Sequence, residues 1–313
     1  MVVAVVVAGI GLVLASASAR AGAGRAPRPK LVVGKQGSVM SLDSDATRLV
    51  WTSEEGVFVA SQLGKGKRKL SAEEAMAVSL DGDAVLVARR GVVERIVLAS
   101  AAVTQLASPR FAIAIAADSS HVYWSGGVAG VIERVARTGG TPEPVAKVPE
   151  AGIGEIALDG SHLYFVVLRK LGEDGALARV PLSGGAVEVL YTGGRVQGLA
   201  LGEGQVFCTV DGGSEGDGKV VRVAKVGGKP ETIADGLTSP WALAAVPDGV
   251  VVLAQGKVGK RAGKLLHLRD GAAPVVLADG QAVPWALTTT AAQVYWSSWG
   301  DRTIKATTLT RRP

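Results

Sequence analysis

Hydrophobic residues in this chain recur as short strand-like runs with a common form. The clearest copies are His121-Val122-Tyr123-Trp124, His162-Leu163-Tyr164-Phe165, Gln205-Val206-Phe207-Cys208 and Gln293-Val294-Tyr295-Trp296. Weaker copies lie at Leu49-Val50-Trp51, Val85-Leu86-Val87 and Val251-Val252-Leu253. Aligned on the slot that Tyr123 fills, they fall at Val50, Leu86, Tyr123, Tyr164, Phe207, Val252 and Tyr295, in steps of 36, 37, 41, 43, 45 and 43 residues. A strand core repeated at a period of roughly 40 residues predicts a β-propeller.

The residues between these runs define the repeat unit. Around Tyr164, the apolar run Ile153–Leu158 reads as an inner strand buried on both faces. Asp159-Gly160 is a tight-turn signal, and His162–Leu168 is the second strand. Ala176-Leu177-Ala178-Arg179-Val180 alternates with period two, as a half-exposed third strand does. Ser183-Gly184-Gly185 turns the chain into a fourth strand, Val187–Tyr191. Gly139-Gly140 and Gly227-Gly228 repeat that turn at spacings of 45 and 43 residues, so two independent markers share one period.

The two ends of the chain complete each other. The last repeat starts at Pro284-Trp285 and ends with Ile304–Leu309, one strand short of a blade. The chain has an orphan strand near its start, Lys30-Leu31-Val32-Val33-Gly34, which resembles Pro274-Val275-Val276-Leu277-Ala278. Pairing that strand with the last three closes the ring and removes its exposed edges. The expected fold is all-β, a seven-bladed propeller of four-stranded antiparallel blades. Six or eight blades are the alternatives.

Composition narrows the reading further. With 313 residues, 48% of them hydrophobic, the chain can bury a large core as one closed domain. The net charge of +6 permits acidic partners. Its basic residues gather in turns, Lys65, Lys67, Arg68 and Lys69 in one and Lys257, Lys260, Arg261 and Lys264 in another. They lack the aromatic interleaving or single-face placement of a nucleic-acid site, and read as solvated loops. The single cysteine, Cys208, stands in the slot of Trp124 and Trp296 and reads as a small buried hydrophobe.

Residues 2–19 carry no charge and are followed by small-x-small sites at Ala15-Ser16-Ala17 and Ala17-Ser18-Ala19. This is the form of a secretory signal. Arg20, Arg25, Arg28 and Lys30 follow the apolar run rather than precede it, which leaves an uncleaved anchor as the alternative. The expected organisation is a signal peptide or N-terminal anchor over 1–19, a flexible linker over 20–29 and the propeller over 30–313. The expected location is periplasmic or secreted.

Tyr123-Trp124-Ser125 and Tyr295-Trp296-Ser297 resemble the YWTD and NHL groups of propellers. The pairing of such a strand with the later Arg179-Val180-Pro181-Leu182-Ser183-Gly184-Gly185 turn is similar to envelope propellers of GC-rich bacteria. Gly126 and Ser298 stand where YWTD has its acid. The resemblance implies the fold and a bias toward binding rather than one ligand.

Chemistry on a propeller sits in the central channel or on the loops around it. A resemblance to the metal-dependent lactonases of this fold would imply a ring of carboxylates. The predicted inner strands are Val39–Leu42, Ala75–Leu80, Ala112–Ala117, Ile153–Leu158, Val196–Leu201, Ala242–Val246 and Ala286–Thr290. Glu155 and Gln197 are their chief polar residues; Glu155 is a weak catalytic candidate as a lone acid or base. His121, His162 and His267 fall outside any catalytic spacing. The loop Asp211-Gly212-Gly213-Ser214-Glu215-Gly216-Asp217-Gly218 makes Asp211, Glu215 and Asp217 weak metal candidates, without EF-hand spacing. No cofactor is expected.

Ser239-Pro240-Trp241-Ala242-Leu243 and Val283-Pro284-Trp285-Ala286-Leu287 open adjacent repeats in near-identical fashion, with Pro109-Arg110-Phe111 a looser copy. Their indoles read either as wedges between blades or as anchors for a partner. Trp299, in the loop Ser298-Trp299-Gly300-Asp301-Arg302, is expected to have fewer packing duties. The expected ligand-binding residues are therefore Trp241, Trp285, Trp299 and Arg110. The expected function is non-enzymatic binding of an envelope protein or carbohydrate, by a monomer, with no nucleic acid. The alternative is a channel-site hydrolase or lyase.

Overall fold

The computed structural model describes residues 28–169, 173–257 and 259–309. The expected signal or anchor (1–19) and all but the end of the expected linker (20–29) lie outside them. Within the described residues, twenty-eight strands form seven four-stranded antiparallel sheets, and there is no helix. Six blades are contiguous in sequence, spanning 41–71, 77–107, 114–147, 152–192, 195–237 and 240–281. The seventh joins Pro284–Thr289, Gln293–Ser298 and Thr303–Thr308 to Lys30–Gly34. The closing register places Lys30 opposite Ala306, Leu31 opposite Lys305 and Val33 opposite Ile304, with an irregularity at Val32.

The two-residue repeat follows from strand geometry. Successive side chains on a strand point to opposite faces, so each second strand feeds both of its blade interfaces. Tyr123 packs with Ile153 and Phe165 of the next blade, while Trp124 packs with Leu86 and Ala88 of the previous one. Tyr164 and Phe165, Phe207 and Cys208, and Tyr295 and Trp296 divide in the same way. Each of the seven apolar clusters therefore joins two neighbouring blades. Cys208 packs beside Tyr164 in one such interface, and burial pushes its thiol up to about 12. It is a packing residue rather than a nucleophile.

Polar side chains repeat with the blades as well. Arg134, Arg179 and Arg222 pair with Glu143, Glu188 and Glu231 on the adjacent outer strand, at 3.2, 2.7 and 2.9 Å. Arg134 and Arg179 also donate to the backbone of the next blade, at Leu182 and Lys225. The expected Asp159-Gly160 turn is a longer loop. In it the Asp159 carboxylate accepts from the backbone N–H groups of Ser161 and His162, both at 2.9 Å. Asp118 and Asp45 cap the corresponding loops of their blades in the same manner.

Candidate functional site

The inner strands line a central cavity of about 670 Å³. Each blade contributes one residue to its mouth from the beginning of the inner strand: Met40, Met76, Ile113, Gly154, Gln197, Trp241 and Trp285. In blade four the glycine leaves room that Leu168 occupies, since a Cβ on Gly154 would meet the Leu168 side chain at 3.4 Å. The rim is thus apolar except at Gln197.

The last four blades begin with register irregularities that carry these residues, between Ile153 and Ile156, Val196 and Leu199, Pro240 and Ala242, and Pro284 and Leu287. A bulge re-aims side chains that a regular strand would send into the blade interface. Buried hydroxyls hold the shifted backbone. Thr209 Oγ1 accepts from the Gly198 N–H and donates to the Trp241 carbonyl, both at 2.9 Å. Ser125 donates to the Gly154 carbonyl at 2.8 Å, and Ser297 accepts from the Ala286 N–H at 2.9 Å. These hydroxyls occupy the residue after the aromatic pair, so the Ser or Thr of the repeat positions the mouth of the next blade or its own.

The two tryptophan-bearing strands start alike. Ser239 and Val283 adopt φ of 49° and 48°, a left-handed conformation costly for a β-branched valine. Their carbonyls accept from the N–H groups of Gln255 and Trp299, at 2.9 and 3.0 Å. The prolines that follow press on Gly218 and Gly263, where a Cβ would lie 2.4 and 2.5 Å from the proline Cδ. This arrangement brings Trp241, Trp285 and Trp299 together. The rings of Trp241 and Trp285 lie 4.4 Å apart at 40°, and those of Trp285 and Trp299 stack at 3.8 Å and 16°. Trp299 is not a free loop tip: its indole N–H donates to the Val39 carbonyl of blade one at 2.6 Å. Trp241 and Trp285 line the cavity, and Trp299 backs Trp285.

Two carboxylates lie deeper. Glu155 is open to the cavity, and its Oε2 accepts from the Leu199 N–H of the next blade at 2.9 Å. The surrounding channel wall partly desolvates it, which raises its pKa to about 7 against the lowering effect of the Leu199 bond. Asp43 accepts from the Leu80 N–H of blade two at 2.8 Å and from the Ser44 N–H at 2.7 Å. Burial raises its pKa as well, opposed by those two bonds. Both acids thus cap inner-edge amides that have no ladder partner. No lysine, arginine or histidine lines the cavity among the described residues.

The remaining candidates lie elsewhere. Arg110 is exposed and outside the cavity wall, with its guanidinium 5.6 Å from the Phe111 ring centre. Asp211 pairs with Arg195, and Glu215 with Lys257 at 3.0 Å. Asp217 joins neither pair, and no group of three potential metal ligands occurs among the described residues. The Asp211–Asp217 loop is therefore a hairpin in which Asp211 and Glu215 meet cations. Sequence reasoning missed Asp43, Met40 and Met76. It expected the first inner strand at Val39–Leu42, whereas the strand is Ser41–Ser44, which carries Asp43 into the channel wall. Alignment on the Val50 slot would have found it, because Asp43 pairs directly with Val50.

No family model and no curated protein matches the sequence. Solved structures match the fold. A streptogramin B lyase superposes with a TM-score of 0.70 at 12% identity, over 90% of this chain and 97% of that one. BamB from Moraxella catarrhalis gives 0.59 at 16%, over 87% and 86%. A chain of a nidogen/laminin complex gives 0.54 at 19%, over 71% and 88%. At such identities the likeness is one of fold: the protein is a β-propeller repeat protein.

Proposed function

We propose that this propeller is a non-enzymatic binding module of the cell envelope, exported by its N-terminal segment and monomeric, that recognises a protein or glycan at the mouth of its channel. One observation carries the reading: two left-handed strand starts of the same design bring the indoles of Trp241 and Trp285 to the rim, with Trp299 stacked behind Trp285. Strain repeated in adjacent blades, at positions that present large aromatic side chains, is the mark of a recognition surface. Kinship with the YWTD group is part of the proposal. Its support is the hydroxyl that follows the aromatic pair at Ser125 and Ser297, with Thr52 and Thr209 in the same slot after Val50-Trp51 and Phe207-Cys208.

Titration of the purified protein with peptidoglycan fragments, envelope polysaccharides and envelope-protein peptides, followed by indole fluorescence, tests it. One of these ligands is expected to perturb the emission, and Trp285→Ala to weaken its binding by roughly tenfold or more. Binding that survives in Trp285→Ala, while only stability falls, would make the indoles wedges between blades.

A second reading rests on Glu155. A carboxyl with a pKa near 7 is suited to proton transfer at neutral pH, and a lyase shares the fold. Under that reading Glu155→Gln removes a turnover activity and leaves binding intact.

A further inference from the structure

The lining of the central cavity has a chemistry that the rim alone does not explain. The protein carries a net charge of +6. The cavity wall nevertheless holds two carboxylates, Glu155 and Asp43, with no lysine, arginine or histidine beside them among the described residues. The mouth of the same cavity carries the apolar, polarisable side chains of Met40, Met76, Trp241 and Trp285, and the wall also holds the hydroxyls of Ser41 and Ser79. Methionine and tryptophan offer adaptable, aromatic-compatible contact area. At about 670 Å³ the space accommodates a compact organic molecule.

We infer that the channel is a site for a small organic cation, an ammonium group on an apolar or aromatic body, with Glu155 as its acceptor. Glu155 is suited to this by its bonds. Among the described residues its only hydrogen bond is the one from Leu199 to Oε2, which leaves Oε1 to accept a ligand. Asp43 has each oxygen engaged by one backbone N–H, so it adds negative potential more than a free acceptor. An ammonium at Oε1 makes a charge-assisted hydrogen bond, about twice as strong as a neutral one. An anion would meet two carboxylates with no counter-charge. A bare metal ion would find too few converging oxygens. The inference goes beyond the proposed envelope partner, because it concerns the cavity beneath the rim and stands without a macromolecule bound above it.

Calorimetric titration at pH 8 with 2-phenylethylamine and its neutral counterpart 2-phenylethanol tests the site. The amine is expected to bind more tightly than the alcohol by roughly tenfold or more, the scale of a hydrogen bond to a charged group. Glu155→Gln keeps an acceptor for the Leu199 N–H and is expected to erase the amine's advantage while leaving alcohol binding as it was. Asp43→Asn is expected to weaken the amine less. Circular dichroism on each variant confirms folding. Equal affinities for amine and alcohol, an unchanged amine affinity in folded Glu155→Gln, or no binding of either probe at millimolar concentration would overturn the inference. None of these results bears on macromolecular recognition at the rim, which the Trp285→Ala titration reads separately.

Discussion

The carboxylate of Glu155 in blade four accepts a hydrogen bond from the backbone N–H of Leu199 in blade five, at 2.9 Å. Gly198 makes the approach possible, since a Cβ there would lie 3.3 Å from Glu155 Oε2 and 2.5 Å from the Trp241 carbonyl. This contact therefore links blades four and five and fixes an acid in the channel. Its carboxyl titrates near 7 in the folded protein against 4.5 in an unperturbed chain. Between those values the folded state holds the extra proton, so stability falls as pH rises through the window and levels off above it. Glu155→Gln is expected to remove this slope. Thermal denaturation should show the variant more stable than the parent at pH 8, by about 2 °C for each kcal/mol relieved, and without that advantage at pH 4.

Trp299 bridges blades seven and one through its bond to Val39 and its stack on Trp285. Trp299→Phe keeps an aromatic ring and loses the bond, for an expected cost of about 1 kcal/mol. Trp299→Ala loses both and should cost about 3 kcal/mol. Denaturant unfolding measures the two differences. Equal costs would mean that the hydrogen bond, not the ring, carries the junction.

Thr209 holds the bulge of its own blade and the Trp241 carbonyl of the next. Thr209→Val is nearly isosteric but leaves a buried N–H and a buried C=O without their partner. The expected cost is about 2–3 kcal/mol. Trp241 should lose its fixed position with it, visible as a weaker near-ultraviolet circular dichroism band of the indoles. Thr209→Ser, which retains the hydroxyl, should preserve the band.

The Lys30–Gly34 strand covers the outer edge of Thr303–Thr308. Removal of residues 1–34 would expose that edge as a template for another chain. The shortened protein is expected to associate or precipitate more than the full chain does, as size-exclusion chromatography of the two would show. Val33→Asp, which places a charge in the blade seven–blade one cluster, should act in the same direction.

The blade count and the closing strand were legible because both depend on period. Side chains on a strand alternate faces, every blade meets two neighbours, and a pair of adjacent apolar residues therefore had to recur. The candidate site was legible only in pieces. Trp241, Trp285 and Glu155 stood out as residue types at strand starts, but Asp43 lay one residue beyond the expected inner strand Val39–Leu42, whereas the strand runs Ser41–Ser44. Trp299 looked free because its partner, Val39, lies 260 residues away in sequence.

Local pattern alone thus determined the strands, their grouping into blades and the ring that the ends close, since each rests on spacing between neighbours along the chain. The composition of the channel was decided only by tertiary structure. Its mouth takes one residue from each of seven blades, in the last four by way of bulges that shift the register locally. No spacing in the sequence encodes which side chains then meet across the ring, or that two acids there lie beyond the reach of any basic side chain in the wall.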